Sequence, residues 1–400
     1  MSAPRRHDGA PDVVLAAFDR SARTALADSW AASWPALLDG VRPFSGVGEQ
    51  IAAWPDDLPV ASLRDWPHGA QLAGRARALA VALGADSRQL HDALLALQPG
   101  LSLSVLIATS HGDTWAVSQF AADRGRSAML PPVSAQTLLG DVLLDGYLEG
   151  LGRRWPGLTV SAACASACVA TGLAAARIRQ GASDACLVVS LDVLSRIAHA
   201  GFRQIGAMSP QGCRPFDRQR NGTTIGEAGA VYLLAGSHVQ LPPMLRWRVK
   251  VCGFGQSCDA RHPVEPSADG LERALRVALA EAACRPGDLA GVYWHGTGTV
   301  QNDRTEAVVA QRLFGGEAPP GTSTKGSFGH AMGASAALSI LACGETLQSG
   351  HLPQVAGLAD NEFPDMHLVQ GSPRRLPPGP LAVAALGFGG INAALVLSAA

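Results

Sequence analysis

Two stretches of this sequence are too small and too uncharged to lie on a surface. Residues 164–180 read CASACVATGLAAARIRQ, and residues 330–347 read HAMGASAALSILACGETL. Both are rich in Ala, Gly and Ser and carry almost no charge for three turns. A helix that is apolar all round is a buried one. Each follows an apolar strand and a short polar turn, and each is followed, after a glycine, by further strands. A chain of 400 residues suggests two or three domains, or one duplicated one, at roughly 100–200 residues each. The repeated pattern predicts the duplicated plan: residues 1–240 as one half and 241–400 as the other, the central helices packed in the middle. The turn Gly236–Pro243 marks the boundary.

The surrounding pattern predicts an α/β protein. Apolar, β-branched runs read as strands at Val13–Ala17, Leu103–Ala108, Leu158–Ser161, Ala185–Ser190, Ala230–Ala235, Trp247–Cys252, Gly291–Trp294, Ala382–Leu386 and Ala393–Ser398. Most are apolar throughout, as strands covered by helices on both faces are. Helical stretches alternate with them at Ser29–Leu38, Ala70–Leu83, Ala165–Gln180, Leu271–Cys284 and Ala331–Leu347, and such alternation argues for α/β. Residues 40–70 carry four prolines and little periodicity and read as an irregular excursion on the first half, and Gly201–Gly226 reads as an ordered loop region near the site.

Charge and cysteine usage exclude several function classes. A net charge of −1 leaves no electrostatic footprint for nucleic acid. No 18-residue apolar run predicts a membrane span, and MSAPRRHDGAPD lacks the apolar core of a signal peptide. Eight cysteines without a C-x-x-C pair predict free thiols, a reducing cytoplasm and no zinc site.

Four segments carry candidate chemistry. In Ser161–Ala167, SAACASA, a strand ends and Cys164 opens a buried helix, facing unsatisfied N–H groups. Such a position is expected to lower a thiol from about 8.5 toward roughly 3.5–7.5, giving a thiolate nucleophile. In WHGTGTVQNDRTEA, His295 stands at a strand's carboxyl end, where α/β folds place sites. Thr297 and Thr299 offer hydroxyls, and Asp303 and Glu306 share a helical face. In STKGSFGHAMGASAA, Lys325 is one of only two lysines, and His330 opens the second buried helix. An imidazole at a helix N-terminus is biased toward neutral. In LGFGGINAALVL, a glycine-rich turn around Phe388 presents backbone N–H groups that suit an oxyanion.

Together these segments resemble the β-ketoacyl synthases of the thiolase superfamily, of the elongating, carrier-protein-dependent type. The resemblance rests on the cysteine in A-A-C-A-S, H-G-T-G-T, K-G-S-F-G-H, G-F-G-G-I-N and the R-P-F-D block at 214–217. It runs from about Pro131 to the C-terminus and is thinner before that. It implies a thiolase-like fold with two pseudo-equivalent halves in α-β-α-β-α layers. It implies a Cys-His-His triad of Cys164, His295 and His330, with Lys325 and Glu306 as a supporting network. Cys164 would be acylated, and the N–H groups of Cys164 and Phe388 would form the oxyanion hole, Phe388 also acting as gate. Thr297, Thr299, Phe202, Gly389 and Asn392 would line the substrate path. No metal or redox cofactor is implied; the phosphopantetheine arm arrives on the acyl carrier protein with the substrate. A homodimer, or a heterodimer with a related chain, is implied as well.

The chain also departs from the family pattern. Where G-G-x-E is usual after a strand, it has Ser190, Leu191 and Asp192, and G-E-G-A-G is here Gly226, Glu227, Ala228, Gly229. The expected activity is decarboxylative Claisen condensation, in fatty-acid or specialised polyketide or polyene synthesis. The alternatives are acyl transfer without decarboxylation and a partner subunit of another ketosynthase. Arg124 and Arg126 are the expected carrier-docking residues.

Overall fold

Ten strands run through the molecule in one continuous order. The computed structural model describes residues 10–46, 58–63, 74–114 and 141–400. The first-half strands are β1 (Val13–Ala17), β2 (Leu103–Ala108), β3 (Gly157–Val160), β4 (Ala185–Asp192) and β5 (Ala228–Gly236). Those of the second half are β6 (Trp247–Cys258), β7 (Gly291–Tyr293), β8 (Gly321–Thr322), β9 (Leu381–Gly387) and β10 (Ile391–Ala399). The first five pair in the order β3-β2-β4-β5-β1 and the last five in the order β8-β7-β9-β10-β6. Renumbered within each half, both orders are 3-2-4-5-1. In both, the first three neighbours pair in parallel and the fifth strand is antiparallel to its two neighbours. The duplication is therefore topological rather than one of sequence. The halves meet where β1 pairs antiparallel with β6, Val14 opposite Lys250, and a short strand, Ala22–Arg23, makes the sheet eleven-stranded.

Helix α4 (Ser166–Arg179) follows β3, and α8 (Ser335–Ser349) follows β8, so each central helix occupies the same place in its half. Their residues Ala167, Ala170, Ala174, Ala337, Ile340 and Cys343 belong to one core shared with both sets of strands. Small side chains are required there. A Cβ on Gly172 would overlap the ring of Phe254, and one on Gly344 would overlap Trp247. The other helices of more than one turn among the described residues are α1 (Trp30–Leu38), α2 (Arg75–Leu97), α3 (Asp141–Leu151), α5 (Arg196–Gln204), α6 (Ala268–Glu281) and α7 (Val300–Phe314).

Two expected elements differ in extent. β6 continues six residues past Cys252 through GFGQSC, which is poor in apolar residues. A register shift between Val251 and Gly253 takes up the irregularity, and pairing with β10 carries the strand to Cys258. α2 runs on to Leu97 because the apolar positions Leu83, Leu90 and Leu94 keep one buried stripe.

Candidate active site

Cys164 lies in the turn between β3 and α4. The residue before it, Ala163, has φ 48°, a left-handed conformation uncommon for a residue with a Cβ, and it makes the strand-to-helix turn sharp. Cys164 is 4% exposed and packs among Val60, Leu194, Met208, Ile225 and Met332. The expected low thiol pKa is corrected by this packing: burial dominates and pushes Cys164 up to about 12. Lys325 and the backbone N–H groups of Cys164 and Phe388 pull the other way. The resting group is a neutral thiol whose anion has two N–H donors waiting. Gly387 makes that convergence possible, because a Cβ there would press on Ala162 O at 2.9 Å and on Ala163.

His295 lies two residues past β7, on a loop pinned from beneath by α7. Glu306 accepts from the N–H of His295 (2.6 Å) and of Gly296 (2.7 Å). Asp303, on the same helical face, accepts from the N–H of Thr297 (3.1 Å), Gly298 (3.2 Å) and Phe216 (2.7 Å). Two buried carboxylates thus hold four successive backbone amides. Burial raises Asp303 to about 6; burial and the charge of Asp303 raise Glu306. Above this loop the hydroxyls of Thr297 and Thr299 pair at 2.8 Å.

Lys325 is 2% exposed, and burial lowers its pKa. Its Nζ donates to the carbonyl of His295 and lies 3.2 Å from His295 Nδ1. An amine donating to Nδ1 leaves the ring hydrogen of His295 on Nε2. The two imidazoles stand 5.5 Å apart between centroids at 87°. His330 does not cap α8 directly, as expected from sequence. The turn Met332–Ala334 intervenes, α8 begins at Ser335, and Ser335 Oγ lies 2.9 Å from His330 Nδ1. Burial and the charge of Lys325 hold both histidines well below the usual imidazole range, His330 adding to the effect on His295. Both are neutral near pH 7.

A cavity of about 410 Å³ brings these groups together, lined among others by Cys164, His295, His330, Thr297, Thr299 and Phe388. Phe202 stacks on Phe388 (5.2 Å, 21°) and meets His330 edge-on (6.1 Å). Asn392 lines the cavity too, but its amide donates to Gly390 O (2.9 Å) and Asp259 (3.0 Å), pinning the hairpin turn. Gly389 is not among the lining residues; its N–H donates to Pro263 O, and it serves the turn at φ 83°. Arg124 and Arg126 fall outside the described residues. No group of three or more His, Cys, Asp or Glu among the described residues is arranged to hold a metal. No described helix is long and apolar enough to cross a membrane.

Sequence reasoning singled out Asp192 only as a departure from a pattern and missed Phe216 and Asn302 altogether. Phe216 meets Asp303 through its backbone N–H from 87 residues away, which leaves no spacing in the sequence; Asn302 donates to Asp303 (3.1 Å) and Glu306 (2.8 Å) on its own helix, a spacing that could have marked it.

Comparison with known proteins decides the family. The N-terminal domain model of β-ketoacyl synthase matches residues 78–238 and the C-terminal domain model matches 249–359. The chain belongs to the β-ketoacyl synthase family. The match begins at residue 78, well before the motif-bearing part from Pro131. A putative polyketide β-ketoacyl synthase 1 of Streptomyces cyaneus is 32% identical over 343 residues, 80% of this chain and 74% of that one. Nodulation protein E of Rhizobium leguminosarum bv. trifolii is 33% identical over 249 residues, 61% of this chain; the match spans 62% of that relative's length. The solved structure of the ishigamide ketosynthase/chain length factor matches with TM-score 0.84 at 26% identity, over 98% of this chain and 100% of that one.

Proposed function

We propose that this ketosynthase catalyses decarboxylative Claisen condensation in a specialised polyketide or polyene pathway. Cys164 takes an acyl chain from an acyl carrier protein as a thioester, its proton passing to the departing carrier thiolate, so both imidazoles stay neutral. A malonyl thioester then enters on its phosphopantetheine arm, alongside Thr297 and Thr299. His295 Nε2–H and His330 face the malonyl thioester carbonyl. As CO₂ departs, they stabilise the enolate, and its carbanion attacks the acyl-Cys164 carbon. The tetrahedral oxyanion takes the N–H groups of Cys164 and Phe388, and collapse expels the thiolate. Two neutral imidazoles suit this role, because an enolate needs hydrogen-bond donors whose own protonation does not compete.

The carrying observation is the convergence on one cavity of Cys164, two backbone donors and two perpendicular, uncharged histidines. The ishigamide structure, being of a ketosynthase and a chain length factor, supports a heterodimer with a related chain. Eight free cysteines support action in a reducing cytoplasm. The two halves act as one unit, residues 1–240 supplying the thiol and 241–400 the histidines.

The test is incubation with acyl-carrier protein and labelled malonyl-carrier protein. An acyl adduct on Cys164 with release of labelled CO₂ is the expected result. An adduct without CO₂ would assign acyl transfer without decarboxylation; no adduct would overturn the reading.

A further inference from the structure

Asp192 is the last residue of β4 and is 1% exposed, yet it lies outside the triad and outside the cavity wall. Its carboxylate takes donors from both halves. Oδ1 accepts from Thr109 Oγ1 at 2.6 Å, and Oδ2 accepts from Ser110 N–H at 2.8 Å, both just past the end of β2. Oδ2 also accepts from Gly333 N–H at 2.7 Å, in the turn that joins His330 to α8. Ser190, two residues earlier and so on the same strand face, shares its one hydroxyl hydrogen between Gly333 O and Ala108 O, each at 3.1 Å. Gly333 is therefore held at its N–H and at its C=O by one strand of the opposite half. His111 Nδ1 lies 3.6 Å from Asp192 Oδ1.

The same loop reaches the nucleophile. Ser166 Oγ accepts from Ala162 N–H at 2.9 Å and shares its single hydrogen between Ala163 O at 2.6 Å and Thr109 O at 3.1 Å, and Ser161 Oγ donates to Ser110 O at 3.1 Å. One buried carboxylate thus connects the turn carrying Cys164, through 109–110, with the turn carrying His330.

We infer that Asp192 is a positioning residue that sets the His330 turn against the Cys164 turn across the junction of the two halves. The inference rests on the proposed reaction for its consequence, because only decarboxylation and attack need His330 in register with Cys164. Acylation of Cys164 needs the oxyanion donors, which Asp192 does not touch; the charge of Asp192 raises the Cys164 pKa, so removing it favours the thiolate and does not slow acylation. A misplacement near 1 Å at such a site costs about 100-fold in rate.

The experiment compares wild type, Asp192→Asn and Asp192→Glu in three measurements. Release of labelled CO₂ from malonyl-carrier protein should fall about 10- to 100-fold in D192N, whose amide opposes Gly333 N–H, while the rate of Cys164 acylation falls by no more than about threefold. D192E, which keeps the carboxylate, should recover most of the CO₂ release. Hydrogen exchange needs no substrate: in D192N it should quicken in peptides covering 109–112 and 330–335 and not in the rest of α4 and α8. Equal loss of acylation and CO₂ release, no loss of either, or unchanged exchange at 330–335 would overturn the inference. A wild type that exchanges as described but releases no CO₂ would overturn the proposed reaction instead, with the exchange of D192N still deciding the role of Asp192.

Discussion

The turn after β3 and the turn after β8 occupy the same place in their halves, yet one carries a thiol and the other an imidazole with a lysine. The first is short: β3 ends at Val160, Ala163 takes φ 48°, and α4 begins at Ser166. The second runs from Thr322 to Ser335, turns through Lys325–Phe328, and has its own left-handed residue at Met332, φ 46°. The short turn itself offers Cys164 only backbone amides, and the charge that lowers its pKa comes from Lys325 in the other turn. The long turn has room for both a cation and a histidine, and it sends Lys325 back to the loop of His295. The two halves present equivalent buried helix entrances, and the chemistry is split between a short turn and a long one.

The sharpest way to break this division is to remove the thiol. Cys164→Ala should abolish the acyl adduct and lower condensation by about 10⁴-fold or more, read by mass spectrometry and product formation. Removing one imidazole tests the other turn. His330→Ala should lower CO₂ release by about 10²- to 10⁴-fold and leave the acyl adduct on Cys164 in place. If both substitutions suppress acylation alike, the turns do not divide the work.

The pH response separates the turns next. Cys164 is a thiol with its pKa near 12, so alkylation by iodoacetamide should rise about tenfold per pH unit from 7 to 9 without a plateau. The histidines act through stability. Their folded pKa values lie well below the usual 6.5, so the unfolded chain binds more protons as pH drops below that value. Stability is therefore lost as pH falls through about 6.5, and His295→Gln with His330→Gln should lose less between pH 7.5 and 5.5 than wild type. Comparing the two proteins is essential, because Asp303 and Glu306, with raised pKa values, act in the opposite direction.

The smallest effect concerns the contact between halves away from the site. Arg179 on α4 pairs with Glu281 on α6, each side chain less than one-fifth exposed. Glu281→Gln should lower stability to denaturant by about 0.5–1 kcal/mol and leave kcat unchanged.

Much of this was readable in the sequence, for identifiable reasons. Small residues on every face of 164–180 and 330–347 mark burial, since a larger side chain at Gly172 or Gly344 would strike Phe254 or Trp247. Cys164, His295, Lys325 and His330 sit beside strand ends and glycines, and that adjacency is local. The protonation state of Cys164 was not readable. Its apolar neighbours Val60, Leu194, Met208, Ile225 and Met332 come from five places along the chain, and their desolvation outweighs the helix entrance. Nor was the part played by Asn392, whose amide turned out to be engaged by its own hairpin.

The sequence by itself determined the alternation of strands and helices, the two buried helices and the residues that carry the chemistry. These follow from hydrophobic period, side-chain size and short spacings along the chain. Only the tertiary structure decided that the two strand orders are the same, that β1 and β6 join the halves, and that Asp192 ties the histidine turn to the cysteine turn. It also decided that both histidines and the thiol rest uncharged. Those properties depend on which distant segments exclude water and which donors meet one carboxylate, and separation in sequence carries no record of either.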